Sequence, residues 1–115
     1  MSMLSMQYAG TLLGREAVIE FPDSQAQVRY TASGQMRWRV VDSQGHISEG
    51  CENLSYLQLS DHLHFLNWIE KTGFTVSQVI DSAKGTVQAF WSYADNQCES
   101  GHRSSMFVEG RFRLR

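Results

Sequence analysis

The chain has 115 residues, room for one domain. Hydrophobic residues make up 42% and charged residues 19%, which excludes a wholly disordered chain. Ten Lys and Arg against twelve Asp and Glu give a net charge of −2, so the basic footprint of a nucleic-acid-binding protein is absent. No apolar run approaches the roughly 18 to 20 residues of a membrane-spanning helix.

Residues 1–14 have no cation before Arg15 and no long apolar stretch, so they lack the marks of a secretory signal. They are expected to form a poorly ordered lead-in or a short helical cover on one domain spanning 15–115, in a cytoplasmic protein. Cys51 and Cys98 are too few for a disulfide framework and are expected to be free thiols.

From Arg15 onward, apolar and polar residues alternate, with turn residues every eight to twelve positions. That spacing predicts an all-β sandwich or barrel. Strands are expected over 16–21, 26–31, 35–41, 46–52, 54–59, 63–70, 74–80, 86–93 and 106–114. Met36, Trp38 and Val40 share one face of the third, with Arg37 and Arg39 on the other. In the last, Met106, Val108, Phe112 and Leu114 oppose Glu109, Arg111 and Arg113. The turns are short, so sequence neighbours are expected to pair antiparallel, and closing the sheet into an up-and-down barrel of about eight or nine strands removes its edges. Large side chains on both faces of 63–70 and 86–93 call for cover on both sides. Two readings follow: a lumen that holds one small ligand, or a filled interior with a homodimer or partner contact outside.

Few residues offer chemistry. Glu70 shares a face with Trp68, Leu66 and His64. If inward, its carboxyl is desolvated and suited to a general acid; if outward, it is a strand-end carboxylate in water. Trp38, Trp68, Trp91, Tyr30 and Tyr93 could line a pocket for a flat ligand or simply form the core. His62 and His64 lie two apart, and Cys98 and His102 lie on a distant loop; no metal site is expected from them. Arg103, Arg111, Arg113 and Arg115 read as a solvated strand face. The sequence has no nucleophile elbow, no phosphate-cradling glycine loop and no Cys-x-x-Cys.

The core Trp68-x-Glu70-x-Thr72-Gly73, followed by Gly85-Thr86-Val87, resembles the MoaF-like domains and the bacterial phenolic acid decarboxylases. The resemblance implies a calycin-type, lipocalin-like barrel. It also implies that Glu70, matching the decarboxylases' proton donor, points inside, and that Trp38 matches an inward aromatic. The decarboxylases grip a substrate carboxylate with two first-strand tyrosines; the matching positions here are Ile19 and Phe21. Their arginine falls around Ser48 to Gly50, where this chain has none. The resemblance therefore argues against the same decarboxylation. The MoaF-like name carries an association with molybdenum cofactor biosynthesis.

The leading expectation is a barrel that binds a small hydrophobic or aromatic ligand, without a cofactor, on Trp38, Trp68, Glu70 and Trp91, with Ile19 and Phe21 as apolar wall. The alternatives are an enzyme using Glu70 as general acid on an aromatic or pterin-like substrate, and a homodimeric interaction module.

Overall fold

A computed structural model describes residues 8–115. Its elements are nine strands: β1 (Glu16–Phe21), β2 (Ser24–Tyr30), β3 (Gln35–Asp42), β4 (Ile47–Asn53), β5 (Ser55–Gln58), β6 (Leu63–Ile69), β7 (Thr75–Asp81), β8 (Thr86–Ala94) and β9 (Arg103–Leu114). No helix occurs among the described residues. All nine strands form one antiparallel sheet, ordered β4-β3-β2-β1-β9-β8-β7-β6-β5. The sheet curls into a nearly closed barrel in which every ladder joins sequence neighbours except β1–β9, while the consecutive strands β4 and β5, expected to pair, do not.

Successive pairings fix the strand directions. Because each pair is antiparallel, β4 and β5 run the same way. Only Leu54 separates them. They are one descending strand bent at that residue, whose first half pairs with β3 and second half with β6. The barrel thus has eight alternating staves, and its seam lies where upper β4 faces upper β6 without ladder hydrogen bonds. The bend is pinned by the Leu54 N–H, which donates to Gly34 O at 2.9 Å.

The period-two pattern decides which residues face in. On β2, Ala26, Val28 and Tyr30 are buried; on β6, His64, Leu66 and Trp68; on β7, Val76, Gln78 and Ile80. Register carries the same face around the sheet, as in Ile19 opposite Ala26 and Phe112. The turns use glycine where the chain must take a positive φ. At Gly85 (φ 70°) a Cβ would also lie 3.1 Å from Phe112 O.

Two expectations at the C-terminal end need correction; the lead-in, expected as a poorly ordered segment or a short helical cover, has no helix over 8–14. It is an irregular plug across the barrel's closed end, where Leu12 is fully buried and its N–H donates to Tyr56 Oη at 3.1 Å. Residues 1–7 lie outside the described part. The last strand starts at Arg103, three residues before the expected start, because its ladder with β8 continues to Ala94 opposite Arg103. Arg103 also leaves the expected basic stripe: its guanidinium donates to Gly73 O, Ser92 O and Ser92 Oγ, so it ties the β6–β7 turn to β8 at the barrel's open end. Cys51 and Cys98 are free thiols.

Candidate functional site

The interior is filled at one end and hollow at the other. At the closed end, Tyr30, Met36, Leu66, Ile80 and Leu12 pack with almost no exposure. His64 is buried there too, and its Nδ1 lies 2.7 Å from Tyr56 Oη, with the rings stacked at 5.8 Å. Burial in this apolar setting lowers the proton affinity of His64; His62 adds repulsion, and Asp81 opposes both.

Above this floor lies a cavity of about 310 Å³. Ile19 and Phe21 of β1, Trp38 of β3, Trp68 of β6, Trp91 of β8 and Glu70 all line it. All six residues singled out in the sequence therefore converge on one space. Their placement follows from strand order. Trp38 and Trp91 stand four staves apart around the ring of eight, as do Phe21 and Trp68, so each pair faces across the lumen. Phe21 meets Trp91 edge to face at 5.7 Å, and Phe74 tilts against Trp91 at 6.1 Å. Tyr93 stacks on Phe74 at 5.8 Å and does not line the cavity; Tyr30 belongs to the floor.

Two tryptophans are held by carboxylates. Trp38 Nε1 donates to Glu52 Oε2 at 3.0 Å, and Trp68 Nε1 donates to Glu70 Oε2 at 3.2 Å. Glu52 lies on β4 and Glu70 follows β6, so the two acids flank the seam. Desolvation raises the proton affinity of Glu70; the Trp68 hydrogen bond opposes this, and the negative charge of Glu52 reinforces it. The Trp38 indole covers Gly50, where a Cβ would come within 2.5 Å of the ring.

Sequence reasoning missed Glu52, Gln78 and Phe74. Gln78 lines the cavity between Val76 and Ile80, is 5% exposed, and its Oε1 has no hydrogen-bond partner among the described residues. Its polar identity at an inward position of a clean alternation was the available signal. Glu52 could have been placed by its parity with Gly50, two residues before it.

Other features carry less. The histidines do not converge with other ligands, and no group of three His, Cys, Asp or Glu suited to a metal occurs among the described residues. A groove of about 480 Å³ on the outer face holds Arg29, Arg37, Arg39 and Glu49, but two of its arginines are already paired, with Glu16 at 2.8 Å and Glu49 at 3.4 Å. Arg113 of the expected basic stripe pairs with Glu20 at 3.6 Å. No helix among the described residues is long and apolar enough to cross a membrane.

Among curated proteins, none matches the chain. Among solved structures, a Burkholderia vietnamiensis protein described as a "putative beta-lactamase" has the same fold, with a TM-score of 0.75 over 95% of this chain and 100% of that one. The two are 17% identical, a likeness of fold alone. The MoaF-like family matches residues 13–103, most of the barrel from the Leu12 plug to the start of β9. With a nearly closed antiparallel barrel around a hollow upper half, the chain belongs to the MoaF-like family.

Proposed function

We propose that the protein binds a small hydrophobic or aromatic molecule in the barrel lumen, on Trp38, Trp68, Trp91 and Glu70, with Ile19 and Phe21 as apolar wall. The observation that carries this reading is the cavity itself. Its volume of about 310 Å³ falls at the lower end of ordinary ligand pockets, and its wall is mainly aromatic and aliphatic with a few placed polar groups. A filled barrel would have spent these rings on the core, as the closed end does.

A thermal-shift screen with aromatic acids, aromatic amines, pterins, nucleotides and fatty acids tests the proposal. The family's association by name with molybdenum cofactor biosynthesis is the reason to include pterins. A ligand at 100 times its Kd adds about 2.7 kcal/mol, and each kcal/mol moves Tm by about 4–8 °C in a domain of this size. The expected result is a shift that Trp68→Ala abolishes. Silence from every compound would turn attention to the exposed outer face, where Phe65, Ile69 and Phe107 are 42%, 67% and 79% exposed and a second copy could dock.

A second reading is an enzyme in which Glu70 is a general acid. It is favoured by the raised proton affinity of a carboxyl bordering the lumen. It requires that turnover of a bound aromatic or pterin-like compound be lost in Glu70→Gln while binding persists.

A further inference from the structure

We infer that the lumen selects a small organic cation: an ammonium carried on an aromatic or aliphatic frame, held among the faces of Trp38, Trp68 and Trp91 and against Glu70. This rests on the ligand-binding reading and names its ligand class.

The charge of the wall comes first. Among the described residues, no Lys, Arg or His lines the cavity, and the one ionisable wall residue is Glu70. Arg103, at the open end, spends its guanidinium on Gly73 and Ser92 and does not reach the wall. An anionic ligand would find no counter-charge. It would meet a carboxylate and the electron-rich faces of several rings.

The orientation of the indoles points the same way. The positive edges of Trp38 and Trp68 are taken up by Glu52 and Glu70. Their N–H groups are therefore unavailable to an acceptor on a ligand, while their rings line the lumen. Ring faces attract cations, and more strongly once both are desolvated. Each indole N–H given to a carboxylate also adds electron density to its ring, which strengthens that attraction.

Gln78 supplies an independent observation. Its side chain is buried on the lumen wall, and its carbonyl oxygen lacks a donor among the described residues. A buried acceptor without a donor bears its desolvation uncompensated. An ammonium N–H satisfies it; a carboxylate or an ether cannot. A neutral alcohol could satisfy Gln78 but would leave Glu70 without a counter-charge. Only a cation with N–H groups answers the rings, the acid and the amide together.

The test is calorimetric titration of the native protein with three probes that share one frame: 2-phenylethylammonium, 2-phenylethanol and phenylacetate, all at pH 7.5. The expected order has the ammonium at least tenfold tighter than the alcohol and phenylacetate weakest. Glu70→Gln, whose amide can still accept from Trp68 Nε1, is expected to weaken the ammonium at least tenfold and leave the alcohol within twofold. If the alcohol or phenylacetate binds as tightly as the ammonium, the cation assignment is overturned and lumen binding stands. If none of the three binds, the lumen reading falls, and this inference with it. The head-group comparison uses only native protein, so it decides the matter even if the variant fails to fold.

Discussion

Gly50 and Gly110 are inward positions with no side chain, and each is covered by a neighbour's ring. At Gly50 a Cβ would strike the Trp38 indole at 2.5 Å; at Gly110 it would strike Glu20 O at 2.6 Å and the Phe21 ring at 2.8 Å. The outcomes should differ because the obstacles differ. Gly110→Ala must move backbone and is expected to cost about 1–3 kcal/mol in a urea denaturation series. Gly50→Ala has a side chain to push, and the lumen gives it somewhere to go. It is expected to cost less stability, to break the Trp38–Glu52 bond and to weaken ligand binding more than Gly110→Ala does. His64 sets a pH response at the same scale. Its proton affinity is lowered from the ordinary 6.5, so the unfolded chain takes up a proton first on acidification. Stability should therefore be intact above about pH 6.5 and decline below it, and His64→Gln should flatten that decline in Tm measured from pH 7.5 to 5.5. Glu70 acts with the opposite sign: its raised affinity favours the protonated folded state, so its contribution falls as pH rises from the ordinary 4.5.

At the scale of elements, the strands were legible because period two is a strong local signal. Which face points inward was not, since a one-residue register error reverses every face; the resemblance supplied the inward aim of Trp68 and Glu70. The bend at Leu54 was not legible. Residues 46–59 read as two strands, and the expectation that sequence neighbours pair antiparallel would join them to each other; instead they do not pair, and nothing local says that both run the same way. That follows only from the antiparallel parity of the whole sheet. Glu52 was missed for the same reason. Its meaning comes from Trp38 on β3 and Glu70 beyond β6, contacts made when the seam forms. Gln78 was passed over because an isolated polar residue in a strand looks like surface until the opposite wall is known. The extended β9 was misjudged because Arg103, Ser104 and Ser105 have loop-like composition, and only pairing with Ser92, Tyr93 and Ala94 draws them into the ladder.

At the scale of the molecule, sequence order and spatial order disagree at two places. Consecutive elements β4 and β5 are the pair the sheet leaves unjoined, while β1 and β9, at opposite ends of the described chain, are hydrogen-bonded and aligned, with the Arg115 N–H donating to Glu16 O at 2.9 Å. The β1–β9 pairing is the one ladder that requires the two ends to meet, so it carries most of the loop-closure cost. A circular permutant opened at Leu54, with its old ends joined by a flexible linker, would turn every ladder of the sheet into a neighbour pairing. Lower contact order should make it fold faster than the parent in stopped-flow mixing. The two would differ in what they reach for last. The natural chain must fasten a hoop around the ligand's space, whereas the permutant would roll up from a flat ribbon whose free margins are already the sides of the opening.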